Sequence, residues 1–243
     1  MANNPVNNID PDGRDIGFEV GKQYKDKDGR LVTPVTISVK MAVLDLSKGG
    51  KHNTNSVISD FKSQLTKALT GTYGDKNSAI EFKVGTLDVQ SIGSADDVKD
   101  DQHLITIVDD VTGKADPDKG GDAGGLAETG GKIAYVQKGE AGWMAQSMVH
   151  EFGHNIGLDH SWKDNMNSTD DGRNYMDYTN NRNNLSPEQV AESFGQYNSG
   201  KLNQGVGYQK AANDSYTIGR TTNEQPYRTI RAGQRMPKPL TNK

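Results

Sequence analysis

Between residues 150 and 160 the chain reads His-Glu-Phe-Gly-His-Asn-Ile-Gly-Leu-Asp-His, and no other segment restricts the fold as tightly. The stretch from Ala141 to Gly157 carries Ala145, Met148, Val149, Phe152 and Ile156 on one broad apolar stripe, which predicts a helix packed into a core. His150 and His154 are four residues apart on that helix and are therefore neighbours on one face. Two imidazoles so placed can share one zinc ion at about 2.0–2.1 Å. Glu151 is one step round the helix, beside the metal position, where it can hold a water without competing for coordination. Gly157 follows three residues after His154. Glycine accepts the left-handed conformation that ends a helix, so the chain can turn and bring His160 back as a third ligand.

Any one of these histidines alone would read as an ordinary core or surface residue. Three of the five in the chain fall at ligand spacing around a glutamate and a helix-ending glycine, and that combination overturns the ordinary reading. His52 and His103 keep it. Three ligands leave a fourth position for water, the arrangement of a catalytic zinc site, whereas a closed structural site supplies a fourth side chain. The chain has no cysteine, which excludes a thiolate zinc site and latency through a pro-segment cysteine.

The string fits HExxHxxGxxH at every fixed position and resembles the signature of the metzincin zinc peptidases, which pair it with a downstream Met-turn. Asn174-Tyr175-Met176-Asp177-Tyr178 is the segment that resembles that turn. The resemblance implies that Met176 forms an apolar floor beneath the ligands and that Tyr178 sits near the metal as an oxyanion partner. The alternative for Tyr178 is a packed aromatic. Ser161 after the last histidine looks like a matrixin, whereas the NYMDY turn looks more like a pappalysin, so the clan is assigned without a family. The similarity covers about residues 134–178.

Elsewhere the pattern predicts an α/β (α+β) fold: a two-lobed, zincin-like domain with a twisted mixed sheet, the active-site helix and the Met-turn. Val32, Val35, Ile37, Val39, Met41 and Val43 alternate through Leu31–Asp45, a strand. Val57, Ile58, Phe61, Leu65 and Leu69 mark an amphipathic helix from Asn55. Strands follow at about residues 79–89 and 104–108. Lys132–Lys138 reads as a short edge strand, with Ala134, Tyr135 and Val136 expected to align a peptide by sheet addition, as the resemblance to zincins implies. Its alternative is an ordinary solvated edge. Ser186, Pro187 and Gln189 spell a capped helix start, with Val190, Ala191 and Phe194 facing inward. The Gly-rich, polar run at 112–132 reads as a surface loop. A calcium site at Asp116, Asp118 and Asp122 is the sharper alternative, although the spacing fits no known loop motif.

Residues 1–15 read as a leader or linker, 16–200 as the catalytic domain and 201–243 as an irregular extension. Within the leader, Asn-Pro-Val-Asn-Asn-Ile-Asp-Pro-Asp-Gly at 4–13 resembles NPVNxxDPxG, the closing motif of the rearrangement-hotspot (Rhs) repeat-associated core. That resemblance implies a C-terminal toxin released from an Rhs shell, with a cognate immunity protein, acting outside its producer or inside a target cell. The leader is polar and is not expected to serve as a signal peptide, so export information is expected outside this chain. A formal net charge of −4 gives no basic footprint for nucleic acid, and no apolar run is long enough to span a membrane. The expected activity is zinc-dependent cleavage of a protein or peptide substrate, with Glu151 as general base. Two alternatives stay open: a secreted metzincin for nutrient or host-protein digestion, and a non-catalytic binding or adhesion tip that keeps zinc.

Overall fold

The computed structural model describes residues 16–47, 53–94, 97–99, 101–109, 124–127, 129–160, 173–177 and 182–202. The leader at 1–15, His52, Asp116, Asp118, Asp122, Ser161, Tyr178 and the extension beyond 202 lie outside the described residues.

In chain order the elements are β1 (Ile16–Val20), β2 (Tyr24–Lys25), β3 (Leu31–Asp45), α1 (Thr54–Ala68), β4 (Gly71–Gly74), β5 (Ser78–Ile92), β6 (His103–Val108), β7 (Gly125–Ala127), β8 (Ile133–Gln137), α2 (Ala141–Asn155) and α3 (Pro187–Asn198). The strands form one mixed sheet in the order β4-β5-β3-β6-β8-β7, with β1 and β2 also paired to β3. The β3–β5, β3–β6 and β6–β8 pairs are parallel, while β1, β2, β4 and β7 join antiparallel. A parallel centre edged by antiparallel strands is the mixed α/β class that the alternation of strand and helix patterns predicted.

Period two in β3 does what the sequence suggested. Val35, Ile37, Val39, Met41 and Val43 share one core with Val57, Phe61 and Leu65 of α1 and with Met144, Met148 and Phe152 of α2. All six residues of β6 are buried, as expected of a central parallel strand covered on both faces. Gly85 is the extra residue where the β3–β5 register shifts between Ile37 and Ser38, a bulge that accounts for a glycine inside a strand.

Local signals set the helix ends. Asn53 caps α1 by accepting from the backbone N–H groups of Asn55 and Ser56. Ser186 and Gln189 form the complete capping box of α3, with Pro187 in its first turn. Helix α3 rests on the sheet: Phe194 meets Phe18 and Phe82, and Tyr197 meets Phe18. Its Val190 and Tyr197 belong to the same core as α1 and α2, so the hydrophobic interior is continuous across it.

Candidate metal centre

Helix α2 places its apolar side in the core, and on its other side His150 and Glu151 remain largely covered, at 3% and 5% exposure. At the end of the helix Gly157 takes φ +90°, the left-handed turn that a residue with a Cβ resists. Its position is also close-packed, since a Cβ there would run into the Gln196 side chain of α3. After this turn His160 comes back over the helix.

One ligand atom from each of His150, His154 and His160 falls within 4.8 Å of the others. The ring centroids are 4.9 Å apart for His150 and His154, 5.3 Å for His150 and His160, and 4.6 Å for His154 and His160. Two of the rings are oriented from behind. His150 Nδ1 donates to the Tyr175 carbonyl at 2.5 Å, and His154 Nδ1 donates to the Leu158 carbonyl at 2.8 Å. Because a carbonyl only accepts, both rings carry their proton on Nδ1 and keep the Nε2 lone pair for a metal. Burial, reinforced by His154, Arg182 and His160, holds His150 well below the usual imidazole pKa, in the neutral form a ligand requires. The donor set therefore fits a single zinc ion.

Glu151 packs its side chain against strand β7 of the sheet. The backbone of Gly125 in β7 lies so close that a Cβ at 125 would overlap the Glu151 carboxylate. Burial pushes that carboxyl up to about 8, opposed by the Arg182 guanidinium. Arg182 is itself nearly buried and donates through Nη1 to the Asp177 carbonyl at 3.3 Å.

Beneath the helix, Met176 packs against Gly153, where a Cβ would meet its sulfur. Tyr175 is buried beside it. Its phenol, pushed up to about 12 by burial, donates to Gln64 of α1 at 3.1 Å.

One expectation needs correction. Ala134, Tyr135 and Val136 do not lie on the sheet edge, because β8 is hydrogen-bonded to β6 on one side and to β7 on the other. All three are fully buried, and with both backbone edges paired they cannot receive a peptide strand. The edge is β7, cut from the run that read as a loop. Gly124, just before it, lies against Trp143 of α2, where a Cβ would strike the ring, and Gly139 after β8 lies against the same ring. His103, read as an ordinary core or surface residue, is a core residue and takes no place in the histidine cluster. It is fully buried on β6 against the edge of Phe152, and neither ring nitrogen closes a hydrogen bond. Gly125, Gly153, Asn174, Arg182 and Gln189 are the site neighbours that motif reading did not single out for this role. The Gly-Gly step before Leu126 was the one available signal, because glycine also marks close backbone approach.

No protein family matches the sequence, and no curated protein matches it. Among solved structures, the chain is similar to the archaemetzincin of Methanopyrus kandleri, at 12% identity and a TM-score of 0.40 over 65% of this chain and 96% of that one. It is also similar to the archaemetzincin of Archaeoglobus fulgidus, solved with malonate, at 16% identity and a TM-score of 0.35 over 64% of this chain and 99% of that one. Likeness of this extent says nothing about chemistry, which has to come from the site itself.

Proposed function

We propose that the chain is a zinc-dependent endopeptidase. The observation that carries the reading is the convergence of His150, His154 and His160 beside a buried Glu151 that faces β7, an edge strand among the described residues. A zinc ion on the three imidazoles would supply Lewis acidity, acidifying water and polarising a scissile carbonyl. Glu151 takes a proton from the attacking water and returns it to the departing amine. Its position next to His150 on the helix keeps the carboxylate beside the ligands rather than on them. Edge strand β7 accepts the substrate in extended form by backbone pairing. Met176 closes the floor of the site, and Tyr178 donates its phenolic O–H to the developing oxyanion.

The biological setting belongs to the same proposal. The NPVN–DP–G residues at 4–13 support a toxin domain carried behind an Rhs shell, kept latent by encapsulation and matched by an immunity protein. Production of the wild-type chain and of Glu151→Ala in a bacterial cytosol, followed by mapping of new protein termini across the proteome, tests both parts. New termini and growth arrest with the wild type alone support them. New termini without toxicity leave the peptidase and remove the toxin, whereas equal toxicity of the Glu151 variant favours a binding role.

A further inference from the structure

The turn that presents the Tyr175 carbonyl to His150 is fixed by side chains that take no part in the chemistry above. The carbonyl of Tyr175 and the N–H of Met176 belong to one rigid, planar peptide unit. His150 Nδ1 holds its carbonyl end, and Asn174 Oδ1 holds its N–H end at 2.8 Å. The Asn174 backbone carbonyl also accepts from Asp177 N–H at 3.0 Å, and Tyr175 N–H donates to the Asn184 carbonyl at 2.7 Å, so the turn is closed on both sides.

What aims Asn174 lies on another element. Asn174 Nδ2 donates to Gln189 Oε1 at 2.8 Å, and the same oxygen accepts Ser186 N–H at 3.0 Å within the α3 capping box. Asn174 is 0% and Gln189 2% exposed. Each orientation follows from the next. Ser186 N–H only donates, so Gln189 must turn Oε1 toward it, and that oxygen only accepts, so Asn174 must present Nδ2. Its Oδ1 is then left facing Met176 N–H.

We infer that Asn174 and Gln189 are positioning residues of the metal centre: the cap of α3 sets Gln189, Gln189 sets Asn174, and Asn174 aims the peptide that orients His150. This rests on the zinc reading above. The same box that starts α3 thereby ties helix α3 to a ligand on helix α2.

The test measures zinc affinity by chelator competition on the full chain, together with the visible spectrum of the cobalt(II)-substituted protein, which reports ligand geometry. Asn174→Asp keeps the acceptor for Met176 N–H but sets a second acceptor against Gln189. It is expected to weaken zinc binding by about 10- to 100-fold and to shift the cobalt spectrum. Gln189→Met should do the same. Gln189→Glu, which keeps an acceptor oxygen at the third helical position, should stay near wild type. The contrast between Asn174→Asp and Gln189→Glu remains readable if Gln189→Met does not fold. Asn53→Ala, which removes the remote cap of α1, should lower the melting temperature and leave zinc affinity alone. Wild-type affinity and an unchanged spectrum in Asn174→Asp would overturn the inference, and so would an equal loss in Asn53→Ala. A wild-type chain that takes up no zinc removes the metal reading itself, and this inference with it.

Discussion

The backbone of Gly125 lies against the carboxylate of Glu151, leaving no room for a Cβ between the edge strand and the acid. The group in the way is the tip of a side chain rather than backbone, so a methyl at 125 is accommodated by moving Glu151. Gly125→Ala should therefore fold and bind zinc normally while cleaving peptide about 10²-fold or more slowly, the scale of a misplaced general base. Steady-state cleavage, zinc content and melting temperature on one preparation decide it. A variant of wild-type activity would show that Glu151 does not need its seat against β7.

Gly157 faces a heavier constraint, because its φ of +90° disfavours any side chain and a Cβ also meets Gln196. Gly157→Ala should cost about 1–3 kcal/mol of stability. It should also displace His160 and weaken zinc binding beyond the loss in stability. Denaturant unfolding with and without saturating zinc separates the two effects, since a weakened ligand set shrinks the stabilisation that zinc confers.

Much of this arrangement is visible in the sequence because it is local. Helical period three to four, the Ser186–Gln189 box and the glycine after His154 each act within a few residues, and they place α2, α3 and the three histidines. Alternation likewise marks β3 and most of β5, and a short run rich in β-branched residues marks β6. What escapes is set by distant partners. Strand β7 is three residues of Gly-Leu-Ala that become a strand only because β8 pairs with them, and β8 reads as an edge only while β7 is unseen. Sheet order is non-local, and no pattern within Lys132–Lys138 reports it. The bond between Asn174 and Gln189 is similar: each residue has a local explanation, as turn and as cap, and only the fold joins them.

His103 yields a pH prediction. Burial, with a smaller contribution from the Lys132 charge, lowers its pKa from 6.5 to about 3, and the Lys132 carbonyl opposes this without closing a hydrogen bond. Above pH 6.5 the ring is neutral in both folded and unfolded chains and contributes no pH dependence. Below it, the unfolded chain takes up a proton that the folded chain refuses, so stability falls with pH down to about 3. The slope for one such group is about 1.4 kcal/mol per pH unit. His103→Leu removes this group alone. Relative to wild type it should gain about 2 kcal/mol between pH 6.5 and 5, read from urea unfolding at both values. A constant difference between the two proteins would show that His103 is protonated as readily in the fold as outside it.

The central claim is that His150, His154 and His160 hold one zinc ion for which Glu151 is the general base. Its most direct measurement is peptide cleavage by wild type and Glu151→Gln at matched, independently determined zinc content. The account predicts about one zinc per chain in both proteins, from three imidazole ligands with an open fourth position. It also predicts a loss of about 10²–10⁴-fold in cleavage for the variant, because the amide fills the same space but cannot take the proton. Undiminished cleavage by Glu151→Gln at full zinc occupancy would contradict it.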